Sequence, residues 1–218
     1  HASTAKAFKL DTCANTCAGT TNIPNSNFET RLETLGMGNG IGGDNTVDNN
    51  NICAVTQLNL MGTSYPLISN FTGIEGFIAL EYLDVRSNQS VTTLDISANT
   101  ALTTFKCDDN SLTSLDVNTN IALTRLEFSN NLLTSIDLSN NTALIFVWAR
   151  YNQLTSFDIS ASTNLDNLDI PYNPLLVSLT LGTGINLNTL DLNAKYCASN
   201  LVIHVGATAG RVALAQSL

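Results

Sequence analysis

Side chains able to do covalent or acid–base chemistry are sparse in this sequence. There are two histidines, His1 and His204, five cysteines, and a single tryptophan, Trp148. His204 alternates with apolar neighbours over 201–205, as an ordinary strand residue does. No G-x-S-x-G elbow and no H-E-x-x-H helix occurs, so nucleophilic and zinc-hydrolase chemistry lack their usual carriers. The glycines from 36 to 43 follow a helical pattern and lack the G-K-[ST] ending, which argues against a phosphate loop. Asp44, Asn45, Asp48, Asn49 and Asn51 put oxygen donors in that Gly-rich stretch, the ligand type calcium prefers. Their spacing is not that of an EF-hand and only Asp44 and Asp48 are carboxylates, so a polar loop without metal is the simpler expectation. No other cofactor is suggested.

The cysteines are Cys13, Cys17, Cys53, Cys107 and Cys197. Their spacing does not form zinc knuckles. A disulfide joining two of Cys13, Cys17 and Cys53 is expected, with three reduced thiols as the alternative; the disulfide would fit an oxidising compartment. Cys107 falls at an inward apolar position and should be a reduced core thiol.

Of 218 residues, 44% are hydrophobic and only 12% charged, so Asn, Thr and Ser must supply most of the polar surface. The net charge of −9 and the absence of a basic cluster disfavour nucleic acid as a partner. No apolar run reaches 18 residues, so nothing in the sequence reads as membrane-spanning. His1-Ala2-Ser3 reads as the remnant of an affinity tag, any leader having been removed.

These residues are positioned by repetition. L-x-x-L-x-L segments begin every 10 or 11 residues from Leu80 to Leu187 and alternate in type, giving a unit of 21 or 22 residues. One type reads LTTFKCDDN, LTRLEFSNN, LIFVWARYN and LDNLDIPYN, from Leu102, Leu123, Leu144 and Leu165. The other reads VTTLDISAN, LTSLDVNTN, LTSIDLSNN and LTSFDISAS, from Val91, Leu112, Leu133 and Leu154. Three inward apolar side chains per segment cannot be buried by one coil alone, so coils must stack as parallel strands about 4.8 Å apart. Asn88, Asn110, Asn131, Asn152 and Asn173 recur where the strand turns, placed to satisfy backbone groups that would otherwise be buried unpaired. This pattern is the signature of the leucine-rich repeat.

The expected fold is a β-rich leucine-rich-repeat solenoid, a right-handed superhelix with parallel sheets on both faces and a small helical N-terminal cap. The first segment type continues as N-x-L and is assigned to the concave sheet by resemblance to that family; the second lies opposite, and a flat arc follows. The cap helix is read over 23–36, with Asn25 or Ser26 at its start, Phe28, Leu32 and Leu35 on one face and Gly36 at its end. The expected division is residues 1–54 as tag remnant and cap, 55–196 as solenoid and 197–218 as a C-terminal cap, with a last strand at 201–205 and a closing tail that could be helical.

The IPNSNFE cap, the ISNFTGIEGF lead-in and the T-x-L-D-x-S-x-N-T-A repeats resemble secreted bacterial leucine-rich-repeat proteins, with some likeness to the internalins. That resemblance covers roughly 23–205. It implies a non-catalytic adhesion or recognition module, secreted or at the cell surface and part of a larger protein, with a protein or glycan as partner.

Repeats carry their own control, since positions that only hold the solenoid together should look alike in every coil. Outward positions of the second type are nearly uniform: Asp95, Asp116, Asp137 and Asp158 line up between Ser, Thr and Asn. These carboxylates could bind cations, but a hydrogen-bonded ladder is the simpler account. Outward positions of the first type vary: Tyr82-Asp84-Arg86, Thr104-Lys106-Asp108, Arg125-Glu127-Ser129, Phe146-Trp148-Arg150, Asn167-Asp169-Pro171 and Thr189-Asp191-Asn193, with Tyr151 and Tyr172 at the edge. Exposed aromatics beside Arg have the composition of a binding hot spot, and aromatic faces flanked by carboxylates suit sugar rings. The candidate ligand site is therefore Tyr82, Arg86, Lys106, Arg125, Glu127, Phe146, Trp148, Arg150, Asp169 and Tyr172. The competing expectation is a spacer without a ligand, in which Phe146 and Trp148 cover each other and Lys106 pairs with Asp84 and Glu127. Hydrolysis by concave carboxylates such as Glu127 and Asp169 is disfavoured, because an open sheet gives neither cleft nor tuned acid.

Overall fold

A computed structural model describes residues 17–62 and 67–206 in full, and the backbone of 210–212. The chain is a parallel-sheet β-solenoid of about seven turns. Its main sheet orders seven three-residue strands side by side: β3 (Gln57–Asn59), β4 (Tyr82–Asp84), β5 (Thr104–Lys106), β6 (Arg125–Glu127), β7 (Phe146–Trp148), β9 (Asn167–Asp169) and β11 (Asp191–Asn193). All neighbours are parallel, and Leu58, Leu83, Phe105, Leu126, Val147, Leu168 and Leu192 form one rung across them. That rung points inward and is fully buried from Leu58 to Leu168, because residues two apart share a face of a strand.

The second sheet is shorter than the repeat pattern suggests. Parallel pairing opposite the main sheet links β8 (Ser156–Asp158), β10 (Ser178–Leu181) and β12 (Val202–Val205), and β13 (Gly210–Val212) closes it antiparallel on β12. The equivalent segments at 91–97, 112–118 and 133–139 are not strands. Contact between coils there rests on isolated bonds at the turns, such as Leu132 N to Leu112 O at 2.8 Å and Gln153 N to Leu133 O at 2.9 Å. The expected inward residues Leu126, Phe128, Leu138, Val147 and Leu168 are buried, whereas Ile136 on this looser face is only partly so.

Asparagine ladders hold the coils in register. Asn131 shows the pattern: its Nδ2 donates to Cys107 O of the previous coil and to Phe128 O of its own, both at 3.0 Å. Its Oδ1 accepts Leu112 N at 3.0 Å. Asn88, Asn152 and Asn173 repeat this. Asn110 keeps the donors but its Oδ1 is unpaired among the described residues. The turn before Val91 is one residue longer than the N-x-L turns, and Val91 N bonds Asn88 O instead. A second ladder, unassigned by the sequence reading, runs through Asn99, Asn120 and Asn141 and passes to Ser162, each side chain donating to carbonyls of the preceding coil.

At the N-terminal end, β1 (Thr20–Asn22) pairs antiparallel with β2 (Thr46–Asp48), enclosing α1 (Ser26–Thr34), and α2 (Asn49–Ile52) follows. Asn25 caps α1 by accepting Phe28 N at 3.0 Å, and Gly36 takes a left-handed φ of 72° just past its end. Phe28 and Leu32 are buried as expected, but Leu35, at the C-cap, lies exposed. Glu29 is buried in its place, and its Oε1 accepts the amides of Gly43, Asp44 and Asn45 at 2.9–3.0 Å. Cys17 and Cys53 form the cap's disulfide, while Cys13 lies outside the described residues. Cys107 and Cys197 are free thiols in the interior, as expected for Cys107.

The last coil breaks the expected register. Asp191 pairs beside Asn167 and Asn193 beside Asp169, so the coil from β9 to β11 takes 24 residues where the four coils from β4 to β9 take 21 or 22. Leu187, expected to begin the inward set, is exposed. Leu192 and Ala194 fill the inward places instead, and Cys197 stands where earlier coils have Asn, its Sγ bonded to Ile170 O at 3.4 Å.

Candidate functional site

Alternation places the expected concave residues on one surface: Tyr82, Lys106, Arg125, Glu127, Phe146, Trp148 and Asp169 all flank the inward rung. They divide into two clusters. Around β4 and β5, Asp84 is fully buried and binds the Arg86 guanidinium through both oxygens, Nε to Oδ1 at 2.9 Å and Nη2 to Oδ2 at 2.7 Å. Tyr82 OH reaches Asp84 Oδ2 at 3.4 Å, and Lys106 Nζ lies 5.9 Å from the Tyr82 ring centroid. Lys106 pairs with Glu127 at 3.3 Å, not with Asp84. Glu127 also holds Arg125, so one buried carboxylate anchors two cations.

The second cluster centres on Trp148. Its Nε1 donates to Asn167 Oδ1 of the next coil at 2.8 Å. The Arg125 guanidinium lies 4.5 Å from the Trp148 ring centroid and 5.4 Å from that of Phe146, and Arg150 lies 5.8 Å from the Trp148 ring. Arg150 in turn pairs with Asp169, whose other oxygen accepts Asn193 Nδ2 at 2.9 Å. Trp148 is thus a half-buried ring framed by two guanidiniums, each tied down by its own carboxylate. Cation–π contact of this kind favours the ordered arrangement by about 0.5–1 kcal/mol at exposed sites. Glu127 and Asp169, the carboxylates with which a hydrolase would have to work, are both occupied as ion-pair partners.

Tyr172 belongs to a different constellation. It stacks between Tyr151, centroids 4.2 Å apart, and Tyr196, centroids 4.5 Å apart, along the rim where the concave strands turn.

One concave residue escaped the sequence reading as a special position. Asp108 is buried; its Oδ1 accepts Ser129 N at 2.9 Å, and its Oδ2 has no hydrogen-bond partner among the described residues. Burial, with the nearby Glu127 charge adding to it, pushes its carboxyl up to about 6.

The calcium candidates are engaged locally. Asp44 accepts Thr46 N at 2.9 Å and Asn39 Nδ2 at 2.8 Å, and these bonds hold its carboxyl below the usual range. Asp48 caps α2, accepting Asn50 N at 2.9 Å. Among the described residues no three His, Cys, Asp or Glu side chains are grouped to hold a metal. On the convex face Asp95, Asp116, Asp137 and Asp158 each accept the amide two residues on, at 2.9 Å. Each is a turn-forming Asx side chain, which explains why the position is always Asp. Among the described residues, no helix is long and apolar enough to cross a membrane.

No protein-family model and no curated protein matches the chain. Solved structures do. The functional domain of InlJ from Listeria monocytogenes, described as including a cysteine ladder, is 29% identical with a TM-score of 0.67, over 83% of this chain and 44% of that one. An internalin, InlF, from Listeria monocytogenes strain 4b F2365 is 16% identical with a TM-score of 0.49, over 84% of this chain and 56% of that one. The chain therefore spans about half the length of the structures it matches. The fold is that of internalin-type leucine-rich repeats, which suggests a protein-interaction module.

Proposed function

We propose that the concave sheet is a recognition surface for a protein or glycan, within a larger secreted or cell-surface protein, and that its centre is Trp148. One observation carries this reading. The convex face repeats a single turn-forming Asp, whereas the concave face varies from coil to coil and puts the only Trp between two fixed guanidiniums. Arg125 and Arg150 are pre-oriented by Glu127 and Asp169, so a ligand meets donors whose side-chain entropy is already lost. Phe146 widens the apolar area, and Tyr82, Arg86 and Lys106 extend the surface toward the first coils.

The spacer reading draws on the same ion pairs, since Arg86, Lys106, Arg125 and Arg150 all find carboxylates within the sheet. Binding decides between them. The purified chain is screened against host-protein and glycan arrays, and any hit is titrated with wild type and with Trp148→Ala. Loss of at least about 2 kcal/mol of affinity, the hot-spot range, with little change in folding stability is expected. Undiminished binding by Trp148→Ala moves the site elsewhere. A stability loss of several kcal/mol would make the ring part of the core.

A further inference from the structure

Each of six successive coils has one non-glycine residue with a left-handed φ of 52–61° at the rim of the concave sheet: Ser87, Asp109, Asn130, Tyr151, Tyr172 and Tyr196. The backbone at this turn is common to all of them, so the side chain is what differs from coil to coil. Asn and Asp tolerate that conformation, whereas a bulky aromatic there is unfavourable. The first three coils use Ser, Asp and Asn. The last three use tyrosine, the residue type that the backbone alone would reject.

The three tyrosines stack into a continuous file, at 4.2 Å and 4.5 Å and interplanar angles of 5° and 15°, so each shields part of its neighbour. They nevertheless stay exposed, Tyr196 by 65%, and no described ring covers the outer face of Tyr196. Beside them lies a cavity of about 300 Å³, lined by the tyrosines together with Arg150, Pro171, Asn193 and Lys195. Lys195 is exposed and has no carboxylate within ion-pair distance among the described residues, unlike Arg86, Lys106, Arg125 and Arg150.

We infer that this rim is a second ligand subsite, separate from Trp148, and that it takes a pyranose sugar bearing a carboxylate. The cavity has room for a sugar ring, and the open face of Tyr196 is a platform for its C–H face. The phenol hydroxyls supply hydrogen bonds, and Lys195 meets the anionic group. Strain kept at three consecutive turns is what a functional surface would retain.

The inference does not depend on Trp148, and the experiment keeps the two apart. Oligogalacturonate of four residues and a neutral oligosaccharide of equal length are titrated by calorimetry into the wild-type chain. The variants are Lys195→Gln, Trp148→Ala, the triple Tyr151→Asn, Tyr172→Asn, Tyr196→Asn, and Asp116→Asn on the opposite face as the control. Asparagine occupies this backbone position at Asn130, so the triple variant keeps a side chain that the turn accepts. Expected are binding of the acidic oligomer at least tenfold tighter than the neutral one, a loss of at least tenfold in the folded triple variant and in Lys195→Gln, and unchanged binding in the convex-face variant Asp116→Asn. The inference is overturned if the wild-type chain binds neither oligomer at millimolar concentration, if the triple variant binds as tightly as wild type, or if Lys195→Gln leaves the acidic preference intact. Loss of binding in Trp148→Ala alone would assign the sugar to the concave centre instead.

Discussion

A residue that looks ordinary in the sequence can be the least comfortable one in the fold. Asp108 shares its repeat position with Arg86, Ser129 and Arg150, and nothing in its type or spacing announces a problem. In the structure one oxygen is bonded to Ser129 N and the other is buried without a partner, near Glu127. The folded carboxyl titrates at about 6, the unfolded one at about 3.9. Between those values the folded state holds the proton and the unfolded state does not, so Asp108 favours folding below about pH 4, and this contribution is lost as pH rises through 6. Asp108→Asn keeps an oxygen for Ser129 N and removes the charge. It should raise stability near pH 7.5 by about 1–3 kcal/mol and lose its advantage toward pH 4. Urea unfolding at both pH values measures this; an equal difference at the two would mean that the Asp108 charge is not what matters. The lowered carboxyls of Asp95 and Asp137 act in the opposite sense at lower pH and are common to both proteins.

At the scale of elements, the concave coils were legible because their code is redundant. Each strand repeats an apolar alternation and ends in Asn, so one noisy position cannot move the register. The inward placement of Cys107 and Phe128 followed from it. Asn131 shows why that residue type recurs: only a side-chain amide can donate to Cys107 O and Phe128 O while accepting Leu112 N. Asn131→Ala leaves Leu112 N buried without a partner, while Cys107 O keeps the bond from Asn110 Nδ2 and Phe128 O the bond from Asn152 Nδ2. The orphaned amide should cost about 1–3 kcal/mol. Thermal or urea unfolding measures it, and a loss below about 0.5 kcal/mol would mean that water replaces the amide. What the sequence hid lies where redundancy fails. The convex segments carry the same apolar pattern with or without a neighbouring strand, so the pattern cannot tell β8 from the unpaired stretch at 133–139. The coil before β11 has extra residues, and a period carried forward from Leu165 places Leu187 inward when it is not. Glu29 serves a loop 14 to 16 residues away, a distance that no helical periodicity reports. Trp148 and Phe146 could be placed on the concave face from alternation, but the guanidinium framing of the ring depends on rotamers set by Glu127 and Asp169 on neighbouring coils.

For the molecule as a whole, stacking has a thermodynamic consequence. Each coil touches only its neighbours, so stability is close to a sum of local terms and a perturbation should fade with distance along the stack. The N-terminal cap closes one end, where β1, β2 and α1 cover the core beside β3, and its disulfide ties residues 36 apart in sequence. Chain entropy assigns a loop of that size about 4 kcal/mol at most. Cys17→Ser with Cys53→Ser should therefore loosen the cap first. Amide exchange should speed up for Phe28 and Leu32, by an amount up to that limit. Protection at Phe105, Leu126 and Val147 should fall progressively less, because two, three and four strand-to-strand steps separate β5, β6 and β7 from β3. A globular two-state domain would behave differently, losing protection by the same free energy at every deeply buried amide. Equal loss at Phe28 and Val147 would therefore show that the coils unfold as one unit. A graded loss would leave the Trp148 surface ordered when the cap is opened, so that the recognition proposed for the concave centre would persist while the end of the solenoid frays.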